Sequence, residues 1–143
     1  GVTSITPMLA ERSVLKLKGE RGDKKRAHWQ AVAVAACEQC GRNRVPVIHE
    51  AVSLAQWQQK HAQSEADGSL RAVLSLADGT QPLQQALGNA PDRAVVFLSG
   101  PEGGLTGAEE ALARTSGFVP VTLGPRTLRA ETAPLAALVL STM

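Results

Sequence analysis

Two glycine–proline loops hold the residues best suited to chemistry: Gly100-Pro101-Glu102-Gly103-Gly104, and Gly124-Pro125-Arg126 with Arg129 and Glu131 close behind. Glycine leaves the backbone bare, so a flat ligand can approach it closely. The familiar nucleotide signatures are absent. No Lys-Ser/Thr follows the glycine loop, so there is no P-loop, and no Gly-x-Gly-x-x-Gly has a ribose-binding acid downstream. His28, His49 and His61 lie far from any nucleophile motif, which removes Ser-His-Asp hydrolysis. Cys37-Glu38-Gln39-Cys40 invites a redox or zinc reading, but such motifs need a helix N-terminus or a second ligand pair. This pair falls at a helix C-terminus, no other cysteine exists, and the histidines form no metal spacing. Small residues closing a helix are the better reading, with no metal and a reducing, cytosolic home.

The elements around the loops follow from pattern. Val95-Val96-Phe97-Leu98 is a run of β-formers that reads as a buried strand ending at Ser99. Thr106-Gly107-Ala108-Glu109 is a capping box, in which hydroxyl and carboxylate satisfy free amides of a new helix. That helix carries Ala108, Ala111 and Leu112 on one side and should stop at Gly117. Phe118 to Leu123 is a second strand, and it runs into the second loop. Strand, helix and strand make a parallel βαβ unit, and ligands in such sheets sit beyond the carboxyl ends of the strands.

The remaining chain supplies a frame. Its 143 residues suit one domain, and with 43% apolar residues, 3% aromatic and no Tyr, the core must be built from Ala, Val and Leu. A net charge of +2 and a pI near 8.8 are too mild to argue for nucleic acid. The distribution says more, because Arg12, Lys16, Lys18, Arg21, Lys24, Lys25, Arg26, Arg42 and Arg44 crowd the first third. No apolar run approaches the length that spans a bilayer, and no basic start leads into an apolar segment. Val2 to Met8 reads as a short strand closed by Pro7, and Lys16 to Gly22 as a basic loop. A helix should run from about Asp23 to Cys40, with Ala27, Ala31, Val34 and Ala35 facing the sheet. Lys24, Lys25 and Arg26 in its first turn are either a solvated charged turn or a contact to phosphates.

Val47-Ile48 is a further strand, and Ser53 caps a helix reaching about Ala62. Gln63 to Ser69 is a polar turn, Leu70 to Leu76 a strand, and Pro82 to Leu87 a short helix stopped by Gly88. Pro134 to Met143 is a helix so apolar, with Leu135, Leu138, Val139 and Leu140, that it should be buried nearly all round.

Leu98 to Leu105 and Leu123 to Ala133, with Glu11-Arg12-Ser13 and the block from Cys37 to Arg42, resemble the RsmE family of 16S ribosomal RNA uridine-N3 methyltransferases, in the SPOUT superfamily. These blocks stand in order along most of the chain. The resemblance implies an α/β, SPOUT-type trefoil-knotted fold with a mostly parallel sheet flanked by helices, and S-adenosylmethionine (SAM) as cofactor. It implies that residues 1–143 are the SAM-binding methyltransferase domain, lacking its first strand and helix and an N-terminal RNA-binding domain. Carried over residue by residue, Leu76, Leu98, Gly100, Pro101, Glu102, Gly103, Leu123, Gly124 and Leu128 would line the cofactor pocket. Arg12, Lys24, Lys25, Arg26, Arg42 and Arg126 would meet RNA, the partner being 16S rRNA or the small ribosomal subunit in the cytoplasm. A homodimer through the last helix is implied too.

Methylating uracil N3 requires removal of its proton, which a positioned base assists, while a cation steadies the developing anion. Arg129 and Glu131 are the residues set nearest this chemistry. Glu131 is open between base, partner of an arginine and plain salt bridge. Two other readings stand beside this one. The 2′-O-ribose methyltransferases of the superfamily follow a Gly-x-Glu-x-Gly loop with Ser-Leu-Asn-Val, where this chain has Leu128-Arg129-Ala130-Glu131-Thr132-Ala133. A non-catalytic RNA-binding module would show no saturable SAM binding.

Overall fold

Pro7 has no amide to give a strand ladder, and the first strand stops short of it: β1 is Ser4–Ile5. In the computed structural model, which describes residues 1–13, 19–61, 68–89 and 92–142, β1 pairs in parallel with β2, Val47–Ile48. Pairing resumes past Pro7 with a bridge from Met8 to Val52. Between the strands runs α1, Gly19–Cys40. Gln30 fastens it to β2: its amide nitrogen donates to Pro46 O at 3.0 Å, and its oxygen accepts from the Ile48 amide at 3.1 Å. Arg26 Nε donates to Ile48 O at 2.8 Å, and Cys37 is buried further along the same side. Gly41, at φ +70°, ends the helix, and the Arg42 amide returns to Cys37 O at 2.9 Å in a Schellman closure.

Two expectations about α1 are corrected. It begins at Gly19, so Lys24, Lys25 and Arg26 lie in its second turn and not its first. Ala27, Ala31, Val34 and Ala35 are exposed, and the inward side carries Arg26, Gln30 and Cys37. The partner is a short strand with backbone groups still to satisfy, so polar side chains that reach them win the inward positions. The alanines at 27, 31, 33, 35 and 36 mark no single face. The Lys16–Gly22 loop is helical from Gly19, and its earlier part lies outside the described residues, as do Ala62, most of the Gln63–Ser69 turn, and Met143.

Both cysteines are free, Cys37 buried with Sγ 3.6 Å from Arg44 O, and Cys40 exposed. Cys37→Ser should therefore cost about 1 kcal/mol of stability, and Cys40→Ser close to nothing. Thermal unfolding of the two variants checks the difference.

The later strands form a separate sheet. β3, Leu70–Leu74, is apolar at every position but Arg71, as expected of a strand covered on both faces. β4 (Gln81–Pro82), β5 (Val95–Leu98) and β6 (Val119–Thr122) join it in the order β4-β6-β3-β5, all parallel. Pro82, which cannot donate, sits on an edge. The helices are α2, Leu54–His61; α3, Leu83–Leu87; α4, Gly107–Thr115; and α5, Ala133–Ser141. Ala72, Leu83, Val121 and Ala137, all at most 1% exposed, are the core beneath α3 and α5. The crossover from β5 through α4 to β6 is parallel as expected, but the two strands are not neighbours, because β3 lies between them.

Contacts divide the described residues into two units, Gly1–Leu9 with Ser13–Ser53, and Ala10–Arg12 with the chain from Leu54 onward. The second contains both glycine–proline loops.

Candidate functional site

Three parallel strands, β3, β5 and β6, end on the same side, and their following segments enclose a cavity of about 300 Å³. That is the lower end of the roughly 300–1,000 Å³ typical of small-molecule sites. Leu76 and Ala77 follow β3, Ser99 to Glu102 follow β5, and Leu123 and Arg126 to Leu128 follow β6. Glu110 enters from α4, and Ala133 from the start of α5.

Local chemistry fixes each wall. Ser75 takes a ladder bond from its amide to Val121 O at 3.1 Å; its hydroxyl donates to Glu110 Oε1 and accepts from the Ala77 amide at 3.1 Å. The β5 loop folds back on itself, with the Gly104 amide on Pro101 O at 2.8 Å. A Cβ on Gly100 would stand 3.0 Å from Leu105 Cγ and 3.2 Å from Leu105 N, so any larger residue in this turn would have to push Leu105 aside. The capping box is present: the Glu109 amide donates to Thr106 Oγ1 at 3.1 Å, and the Thr106 amide to Glu109 Oε1 at 3.0 Å. After β6, Thr122 Oγ1 bonds both the amide and the carbonyl of Gly124, whose φ is +129°.

Of the residues set out from sequence for a cofactor, Leu76, Gly100, Pro101, Glu102, Leu123 and Leu128 line the cavity. Leu98 is buried in β5, Gly103 faces Arg12, and Gly124 stands outside the lining. Arg129 and Glu131 flank the lining residue Ala130 and pair with each other at 3.8 Å, their side chains 87% and 63% exposed. Of the cations, Arg126 lines the cavity and Arg12 donates to Gly103 O at 3.1 Å. Lys24 and Lys25 share a shallow groove on α1 with Glu20, Arg21 and His28. Arg26 is bonded to Ile48, and Arg42 follows the helix end. Sequence reasoning missed Ser75, Ser99, Thr127 and Glu110. Ser75 was within reach of the strand-end rule, whereas Glu110 sits beside the capping glutamate and reads as ordinary helix.

The family model described as RNA methyltransferase domain matches residues 1–142. The chain belongs to the RNA methyltransferase domain family. Within reach of that family, the chain is 39% identical over 153 residues to ribosomal RNA small subunit methyltransferase E of Bacillus subtilis, covering 96% of this chain and 54% of that protein. It is 36% identical over 141 residues to the protein of that name from Synechocystis, covering 96% and 44%. The chain thus spans about half the length of the relatives it matches. Among solved structures, ribosomal RNA small subunit methyltransferase E of Neisseria gonorrhoeae bound to S-adenosyl methionine superposes with a TM-score of 0.85 at 40% identity, over 98% of this chain and 55% of that one. A Legionella pneumophila protein solved with bound SAM gives 0.82 at 36% identity, over 99% and 55%.

Proposed function

We propose that this protein transfers a methyl group from SAM to N3 of a uridine in 16S ribosomal RNA. The observation that carries the proposal is the cavity beyond β3, β5 and β6, walled by the same two glycine–proline segments that resemble the uridine-N3 methyltransferases. Its residues fit the cofactor. Leu76, Leu123 and Leu128 offer apolar surface to a flat adenine, and the carboxylates of Glu102 and Glu110 suit a ligand bearing sulfonium and ammonium groups. The cofactor supplies an electrophilic methyl group. The protein's own side chains must hold the uracil, dispose of the N3 proton and steady the anion that forms. Arg129 is assigned the anion, and Glu131 either accepts the proton or orients Arg129.

Exposed Lys24 and Lys25, beside Arg21 and His28, give α1 a cationic groove suited to RNA phosphates. Arg126 at the cavity, Arg42, Arg26 and Arg12 extend the set, although the last two already donate to backbone carbonyls. A cytoplasmic location belongs to the reading as well, and both thiols are free; no described helix is long and apolar enough to cross a membrane. The later strand β6 inserts between β3 and β4, an order compatible with a knotted chain.

Incubating unmethylated small subunits with the protein and SAM, then mapping the modified atom, tests the proposal. A single uridine methylated at N3 is expected. A methyl on a ribose 2′ oxygen would move the protein to the other branch of the superfamily, and absence of saturable SAM binding would leave an RNA-binding module.

The same reading includes a homodimer through α5. Leu135 and Val139, one helical turn apart, are 64% and 60% exposed, whereas Ala137 is fully buried. Each large apolar side chain covered by a partner contributes about 1.5–3 kcal/mol, so a few across a two-fold contact suffice. Leu138 is half-buried within the chain, which makes Leu135→Glu the cleaner probe. Sedimentation should show a dimer for wild type and a folded monomer for Leu135→Glu. A wild type that sediments as a monomer at micromolar concentration ends the dimer proposal.

A further inference from the structure

Gly103 is a glycine for a reason its own backbone does not supply. It does not adopt the positive φ seen at neighbouring Gly104, and the space a Cβ would need is taken by Arg12, whose Cβ lies 3.3 Å and Cδ 3.6 Å from that point. The Arg12 guanidinium reaches on to donate to Gly103 O at 3.1 Å. One residue earlier, the Glu11 amide donates to Glu109 Oε2 at 3.2 Å, while the other oxygen of that carboxylate closes the capping box on Thr106. Residues Ala10–Arg12 thus belong with the cavity unit, although the chain on either side of them belongs to the other.

We infer that Arg12 is a positioning residue for the cofactor: with Glu109 it braces the outer side of the glycine loop, and so fixes Glu102 and Gly104 in the cavity wall. Gly103 itself is not in that wall, but it stands between two residues that are. Without the brace the loop keeps its internal bond from Gly104 to Pro101 but loses its outer anchor. The inference rests on the cavity being the SAM site. It assigns Arg12 a task that needs no RNA, and that separates it from a phosphate contact.

The test is SAM titration without RNA, on wild type, Arg12→Ala, Arg12→Lys and Gly103→Ala, with melting temperatures of the ligand-free proteins. Arg12→Ala should weaken SAM binding roughly fivefold, the scale of one exposed charge-assisted hydrogen bond. Arg12→Lys should recover part of that loss, because an ammonium can still donate to the Gly103 carbonyl. Gly103→Ala should weaken SAM binding in a protein that retains Arg12, and it serves as the independent variant if Arg12→Ala unfolds. SAM affinity within twofold of wild type in both alanine variants, with only RNA affinity reduced in Arg12→Ala, overturns the brace and makes Arg12 an RNA contact. No saturable SAM binding by wild type overturns the cofactor reading itself, and the brace with it.

Discussion

Arg129→Ala should slow methyl transfer about a hundredfold while leaving the fold as stable as wild type. The size follows from the work assigned to the guanidinium, since removing one preorganised donor from a developing anion costs on the order of 10²–10³ in rate. Stability should hardly respond. Arg129 and Glu131 form an ion pair 3.8 Å long on side chains 87% and 63% exposed, and such pairs contribute about 0–1 kcal/mol. A hundredfold is about 2.7 kcal/mol, more than that pair can supply as a loop fastener. A large loss of rate in a protein of unchanged melting temperature would therefore speak for chemistry, and a wild-type rate would remove Arg129 from it. Glu131→Gln divides the remaining question. If Glu131 takes the proton, the Arg129→Ala/Glu131→Gln double variant should be slower than Arg129→Ala alone; if it only orients Arg129, the double variant should be no slower than Arg129→Ala.

Gly100→Val should lower SAM affinity about 10- to 100-fold. The added Cβ would meet Leu105 at 3.0 Å from Cγ and 3.2 Å from the backbone nitrogen, and the latter cannot swing aside. Overpacking of this kind costs about 1–3 kcal/mol, and here the loop can escape it only by opening the cavity wall that Gly100 and Leu105 share. Gly124→Ala makes a useful contrast. No atom lies within 4 Å of its would-be Cβ, so its cost comes from φ +129° alone and falls on the turn after β6. Calorimetric titration of both variants, with thermal unfolding alongside, should show the affinity loss concentrated at Gly100. A folded Gly100→Val that binds SAM as wild type does would mean that the site lies elsewhere.

Local signals were legible where a short run of residues decides the outcome. The capping box, the strand from Val95 to Leu98 and the strand-end loops are fixed by neighbours in sequence, and the structure has them where the pattern puts them. Relations between distant segments were not. Nothing in Leu70–Leu74 says that it separates β5 from β6, because every strand of a covered parallel sheet carries the same apolar run. The inward side of α1 was misread for a related reason: alanine fits either face, and Gln30 earns its inward position from a strand edge some sixteen residues on. The cavity was half legible. Its glycines announce themselves, but Glu110 matters through Ser75, a partner thirty-five residues away. The exposure of Leu135 and Val139 shows the same boundary, since composition marks α5 as apolar without saying which side its own chain covers.

The sheet order also bears on synthesis. β3 is complete at Leu74, but the strand that covers its second edge begins only at Val119. At translation rates of about 5–20 residues per second, that edge waits a few seconds for its partner. During the wait β5 can guard one side of β3, while the other offers unpaired amides and carbonyls along an apolar strand, the arrangement most apt to recruit a foreign strand. The nascent chain is thus most exposed to aggregation after β3, β4 and β5 have been made, and β6 is the strand that seals the open edge.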